Sequence, residues 1–375
     1  MAGEGRVEWK QDMNRVVSFI KSLTWKQIVL SVIVFVCLVL WAGLSVFATV
    51  KKNGLLDQTA AKRWSEENNA AQISCFFTES TEIDKNRIRT FENDLDKVLL
   101  EASITAPNEN ARLWADAYSA SGKITLSSGK TSLADAAAVG IGGDFFLFHP
   151  VQLLYGSYFS GSDLMHDKVI VDEEAAWQLF GSNDVVGMEV RIGGIPHYIA
   201  GVIKREEGRF AEAAGLNKTV VYVSCETLEE FGVTEGIDSY EIVMPNPVKN
   251  FAYNSVKEKF GMDESRMWVV ENSARYGLKG LFTVISEFGL RSMNNRAIRY
   301  PYWENVARGW EDVLAVVLIL QILCLLIPSV ILVAAVTAAW RRKQWTWKDV
   351  GRFLVDCKDR MAEKARGEKN KWKHF

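Results

Sequence analysis

Two long uncharged apolar runs stand out along the chain. Ile28–Val50 reads IVLSVIVFVCLVLWAGLSVFATV, and Val313–Trp340 reads VLAVVLILQILCLLIPSVILVAAVTAAW. A helix needs roughly 20 apolar residues to cross about 30 Å of hydrocarbon, and both runs are long enough. They predict two transmembrane helices, at 27–50 and 313–340. A buried core helix is the alternative for such a run. Val46-Phe47-Ala48 has the look of a signal cleavage site. A signal core is only about 7–15 residues long, however, and here about 25 amphipathic residues precede the run, so an uncleaved anchor is expected. Pro328 removes a backbone donor inside the second run and predicts a kink.

Between the runs the period of the pattern changes repeatedly. Ala71–Thr78 reads as a strand. A helix follows, opened by Thr81 with Asp84 three residues on, and striped by Ile83, Ile88, Phe91, Leu95, Val98, Leu99 and Ala102. Leu113–Tyr118 and Lys123–Ser127 are predicted strands. The same β-α-β order returns later: Tyr240–Met244 as strand, Asn246 and Pro247 as helix start, Val248, Phe251, Ala252, Ser255, Val256 and Phe260 as stripe, Gly261 as stop, and Arg266–Val270 as strand. Two such units predict a split ferredoxin-like α+β layer with both helices on one face. The middle, about 130–235, reads as a β-rich insertion. It holds strands at Val169–Val171 and Thr219–Val223, a short helix at Asp172–Phe180, and a hairpin turning at Gly193-Gly194. Leu278–Leu290 is apolar and helical.

The expected organisation is thus a cytoplasmic amphipathic segment 1–26, a span 27–50, an outer domain 51–312, a span 313–340 and a basic tail 341–375. Charge sets the orientation. The tail carries 12 Lys and Arg against 5 acidic residues, beginning at Arg341, Arg342 and Lys343, whereas the other flank of that span holds Glu304, Glu311 and Asp312 against Arg308. Basic loops stay in the cytoplasm, so both termini are expected inside and the domain outside. Lys51 and Lys52 lean weakly the other way. Tyr300, Tyr302, Trp303 and Trp310 precede the second span and suit a membrane-interface collar, or a packing knot between domain and span. The basic tail with its interleaved aromatics suits anionic lipid or a cytoplasmic partner better than nucleic acid.

Candidate chemistry is sparse. Ser128-Gly129-Lys130-Thr131 imitates the end of a phosphate-binding loop, but Ile124 stands where that loop needs glycine. His149, His166, His197 and His374 are not at metal-ligand spacing and read as surface or packing residues. No serine lies in a nucleophile-elbow setting. No enzymatic activity, metal or cofactor is expected. Of the five cysteines, only Cys75 and Cys225 share the outer compartment; they suit either a disulfide or two free buried side chains.

Three strings carry a resemblance: HPVQLLYGSYFSGSD at 149–163, DKVIVDEEAAWQLFGSNDVVGMEVRIGG at 167–194, and HYIAGVI at 197–203. Together they resemble the periplasmic core domain of MacB/FtsX-type ABC transporter permeases. Gly156, Phe159, Asp163, Val169–Val171, Leu179-Phe180-Gly181, Gly187 and Gly201 stand at the family's positions. The resemblance implies a split layer with an inserted lobe. It also implies a bacterial cell-membrane protein that transmits motion or handles envelope substrates while a cytoplasmic ATPase cycles. The family usually has four spans and a Glu-Ile-Gly-type coupling segment after the second. Here two spans are expected, and AWRRKQWTWKDVGRF stands in that place. The expected function is a non-catalytic permease-like subunit working with a separate ATPase, another permease subunit, or both. The alternative is a membrane-anchored extracytoplasmic binding or sensing domain without ATP coupling.

Overall fold

The computed structural model describes residues 24–65, 69–78, 81–106, 108, 111–216, 218–289 and 300–342. The N-terminal part holds α1 (Trp25–Gly54), a 3-10 turn (Leu56–Gln58), α2 (Ala60–Trp64), β1 (Ala70–Phe77), α3 (Lys85–Glu101), β2 (Ala115–Ser128) and β3 (Thr131–Gly143). Next come α4 (Phe145–Phe148), β4 (Leu153–Gly156), β5 (Lys168–Asp172), α5 (Glu173–Phe180), β6 (Glu189–Ile192), β7 (Ile195–Ile203), α6 (Arg209–Ala213), β8 (Val220–Ser224), α7 (Cys225–Phe231) and β9 (Val233–Thr234). The chain closes with β10 (Ser239–Pro245), α8 (Phe251–Phe260), β11 (Met267–Glu271), a 3-10 turn (Asn272–Ala274), α9 (Leu278–Glu287) and α10 (Tyr302–Arg342). Residues 44–319 form one compact unit; the described parts of 1–43 and 320–375 belong to a second. The amphipathic segment expected before residue 24 and the tail from Lys343 lie outside the described residues.

α1 and α10 carry the apolar runs. Their most apolar windows are only 6% and 11% buried, so neither is a core helix of the folded chain. Exposed Val32, Phe35, Leu332 and Val333 need an apolar solvent. Both helices are long and apolar enough to cross a membrane. Helix α10 continues through Pro328, and Ser329 Oγ donates to the Leu325 carbonyl at 2.7 Å.

The domain is α+β. Its sheet path runs β11-β1-β10-β2-β3-β8-β5-β7-β4, with β6 paired to β2 and β7, and β9 to β2. The first four strands of that path are mutually antiparallel. Strands β3 and β8 pair parallel, as do β5 and β7. Helices α3 and α8 cover one face of the first four, and Phe91 stacks on Phe260 at 4.1 Å. Helices α5 and α7 cover a second cluster over β2, β3, β5 and β8. A third, around Phe145, Phe148, Tyr222 and Trp303, fills the opposite side.

Several expectations hold in detail. The hairpin β6–β7 turns at Gly193 and Gly194, with φ of 58° and 83°, which a β-carbon would disfavour. Gly181 and Gly261 end α5 and α8 in the left-handed conformation. Others are corrected. The two strands read at 113–118 and 123–127 are one strand, β2, continuous through Ser119–Gly122. It stays extended because β10, β3, β9 and β6 each pair with part of it. Strand β3 went unread because DAAAVGIGG has little strand propensity. Its small residues make room: a β-carbon at Gly142 would lie 2.1 Å from the Tyr118 ring. Helix α3 is capped by Asp84, not Thr81, the carboxylate accepting from Arg87 N at 2.8 Å. Helix α8 starts at Phe251, and Asn246 Oδ1 reaches it from outside through Ala252 N.

Candidate functional site

Alternation on β1 sets up the site. Ala71, Ile73, Cys75 and Phe77 face the cluster under α3 and α8. Gln72 and Ser74 point to the other face, where period-2 logic would put solvent. On β10 the matching position is Glu241, directly opposite Ser74. All three are essentially inaccessible. Burying polar side chains without partners costs several kcal/mol, so the face must be matched group for group.

The match comes from distant segments. Gln72 Oε1 accepts from Ala60 N at 2.9 Å and its Nε2 donates to Asp57 O at 2.7 Å, fixing the turn that follows α1. His149, at the end of α4, donates through Nδ1 to Asp57 at 2.9 Å and through Nε2 to Glu241. Its ring packs on Trp303 with centroids 4.1 Å apart. Burial alone would lower the imidazole's pKa. Glu241 and Asp57 outweigh it and raise the value to about 9, so the buried ring is an imidazolium at neutral pH. Ser74 Oγ donates to the other Glu241 oxygen and accepts from Asn272 Nδ2 at 2.6 Å.

Arg275 continues the chain. Its Nη1 and Nη2 donate to the two oxygens of Glu304 at 2.6 and 2.8 Å, and its Nε to Glu311 at 2.5 Å. Nη1 also reaches Gln58 Oε1 and Asn272 Oδ1, at 3.2 and 3.4 Å. Burial would weaken the guanidinium's hold on its proton; Glu304 and Glu311 reverse this and hold it above its ordinary pKa. Glu304 accepts in addition from Arg308 Nε at 2.8 Å, and Arg308 lies over the Tyr300 ring at 3.8 Å. The result is one continuous path, Asp57–His149–Glu241–Ser74–Asn272–Arg275–Glu304–Arg308, buried from His149 to Glu304 and partly exposed at its two ends. It links the turn after α1 to the first two turns of α10 through β1 and β10.

Sequence reasoning placed none of this path as a site. His149, expected at the surface or in packing, is a packed core residue that is also ion-paired twice. Glu304 and Glu311 were read as flanking charge, and both are buried against Arg275. The available signals were Glu241 inside an otherwise apolar strand and the polar alternation of Gln72 and Ser74. Of the residues expected at the membrane boundary, Tyr300 and Trp303 are covered by the domain. Tyr302 hydrogen-bonds Tyr222 at 2.8 Å. Trp310 is half-buried, with Phe210 at 5.2 Å and the Lys51 ammonium at 4.9 Å. Arg341 is exposed near the end of α10, and Arg342 is its last residue. Lys343 is outside the described residues. Of the two alternatives for Cys75 and Cys225, the structure has the free one, each side chain buried in a different hydrophobic cluster.

The profile of the MacB-like periplasmic core domain matches residues 29–252. That stretch contains Asp57, Ser74, His149 and Glu241, whereas Asn272, Arg275, Glu304 and Arg308 lie beyond it. The macrolide export ATP-binding/permease protein MacB of Chromobacterium violaceum is 30% identical over 78 residues, which is 20% of this chain and 12% of that protein's length. The periplasmic region of MacB from Actinobacillus actinomycetemcomitans is similar with a TM-score of 0.36 and 15% identity, covering 59% of this chain and 94% of that one. The extracellular domain of the noncanonic ABC-type transporter YknZ from Gram-positive bacteria gives 0.32 and 15%, covering 53% and 99%.

Proposed function

The chain belongs to the family of proteins with a MacB-like periplasmic core domain, and from that premise we propose that it is a non-catalytic, permease-type subunit that carries motion between membrane helices and an extracytoplasmic domain. Members of the family work with ATPase partners in ABC transporters. For this chain we assign the ATPase to a separate cytoplasmic polypeptide, with a further permease subunit completing the path. We read the β11-β1-β10-β2 layer as ferredoxin-like, carrying the β-rich lobe between β2 and β10 as an insertion. We also propose that both termini are cytoplasmic, with Trp310 toward the outer boundary of the membrane and Arg341, Arg342 and Lys343 at the inner one.

The observation that carries the proposal is the buried path itself. Asp57 and Gln58 follow α1 directly, and Glu304, Arg308 and Glu311 occupy the first turns of α10. Displacing either helix end must move β1 and β10 with it or leave His149, Glu241, Arg275 or Glu304, which are shut off from water, without a partner. Such a joint transmits force instead of absorbing it. Affinity purification of the intact chain from native membranes is expected to recover an ATPase or a further permease subunit. Recovery as a lone monomer overturns the proposal.

A second reading, a membrane-anchored binding or sensing domain, draws on a cavity of about 410 Å³ beside β9, lined by Phe77, Glu82, Lys123, Thr234 and Asp238. Burial raises the Asp238 carboxyl to about 6 even though Ser119 and Ser121 donate to it. Removing the tail beyond Arg342 separates the readings: a coupler loses function, whereas a tethered binder keeps it.

A further inference from the structure

Helix α9 has an apolar sector wider than the protein covers. Lys279, Thr283, Ser286 and Glu287 fall on one polar face at i, i+4, i+7 and i+8. Its apolar side chains are Leu278, Leu281, Phe282, Val284 and Ile285, with Phe288 at the C-terminal cap. Of these six only Leu281 and Val284 are buried, at 4% and 3% exposure. Leu278 and Phe282, one turn apart on the same side, stay 68% and 51% exposed.

What lies beside them identifies the missing cover. Leu281 and Val284 pack in one cluster with Ala48, Leu314, Ala315, Val317 and Leu318. Those α10 residues open the uncharged run that follows Asp312. At 1.5 Å per residue, Leu314–Leu318 lie about 3–9 Å along the helix from Asp312. Interfacial helices bury their apolar face to a similar depth, about 5–10 Å, at the boundary between headgroups and acyl chains. Val316, on the same stretch of α10, is exposed as well, and so are Val46 and Val50 of α1. The uncovered flank of α9 is therefore continuous with the surface that the spans present to lipid. Lys279 stands on the polar border, where a long cationic side chain reaches the phosphate level.

We infer that α9 is an interfacial helix whose Leu278 and Phe282 insert into the acyl chains of the outer leaflet, seating the domain on the bilayer beside the second span. The inference rests on the reading that α1 and α10 sit in a membrane. In the functional cycle it makes the lipid surface itself a bearing: Leu314–Leu318, which follow Arg275's partners on α10, pack against a helix seated at the interface.

Photocrosslinking of the full chain in phosphatidylethanolamine/phosphatidylglycerol vesicles tests it. p-Benzoylphenylalanine is placed, in separate variants, at position 282, at position 283 on the polar face, and at position 332 on the exposed face of the second span. The expected result is lipid adducts at 332 and at 282, with the yield at 282 several-fold above that at 283. Adducts at 332 with no excess at 282 over 283, or with only protein adducts at 282, overturn the inference and leave the membrane reading standing. Absence of lipid adducts at 332 removes the membrane reading, and the inference falls with it.

Discussion

Arg275 and Glu304 meet fork to fork, with both terminal guanidinium nitrogens on both carboxylate oxygens, and neither side chain exposes more than 3% of its surface. Arg275 sits just after the 3-10 turn that follows β11, and Glu304 in the first turn of α10. A pair of this kind orients two elements more than it stabilises them, because desolvation offsets most of the attraction. Its loss is nonetheless severe, since the surviving charge stays buried.

Arg275→Met is therefore expected to lower the unfolding free energy by about 3–5 kcal/mol. Arg275→Lys keeps the charge but not the fork, so it should fall between wild type and Arg275→Met. Adding Glu304→Gln to Arg275→Met should restore part of the loss. Denaturant titration of the detergent-solubilised chain measures all three. A loss below about 1 kcal/mol for Arg275→Met would falsify the network as drawn.

The imidazolium of His149 makes stability depend on pH in a defined window. Its folded-state pKa is raised from 6.5 to about 9. A raised base contributes stability that is complete below pH 6.5 and lost as pH climbs through about 9. The difference corresponds to about 3 kcal/mol. Wild type should weaken across that window more steeply than His149→Gln, as measured by unfolding at pH 6.5, 8 and 9. Parallel curves would mean that His149 is neutral in the folded protein.

Asp116 on β2 titrates in a lower window. Burial, then the neighbouring charge of Glu92, pushes its carboxyl up to about 7. A raised acid contributes stability that is full below about pH 3.8 and lost as pH rises through 7. Asp116→Asn removes the charge, so its stability relative to wild type should be higher at pH 8 than at pH 5, by about 3 kcal/mol. Melting temperatures at the two values decide; equal shifts at both would show a packing effect instead.

Cys75 and Cys225 are expected to stay reduced and slow to react. Burial raises both thiols, so little thiolate forms at neutral pH. Non-reducing peptide mass analysis should find no bridge between them. Maleimide should label both only after unfolding. Rapid labelling of either in the native protein would contradict the sealed clusters.

The long periodic elements could be read in the chain before any coordinates. The helices containing Phe91 and Phe260 follow from 3.6-residue spacing, and the β6–β7 hairpin from Gly193-Gly194. Strand β3 could not, because its alanines and glycines answer to Tyr118 and Leu228 packed against it, not to local propensity. The candidate site was even less visible. Asp57, Ser74, His149, Glu241, Arg275 and Glu304 are scattered over nearly 250 residues of sequence. Apart from Glu241 in its apolar strand and Ser74 in the alternation of β1, each by itself looks like ordinary surface polarity.

Both apolar runs, by contrast, needed no partner to be interpreted. Their length and lack of charge are local properties, and hydrocarbon is the solvent that such a surface requires. The β-α-β units are similarly local, because periodicity is written within each segment. Which polar residues meet was decided only by the fold. Strand register set Ser74 against Glu241, and packing brought His149 and Arg275 over the same face, because buried charges are tolerated only where distant segments supply their counterparts.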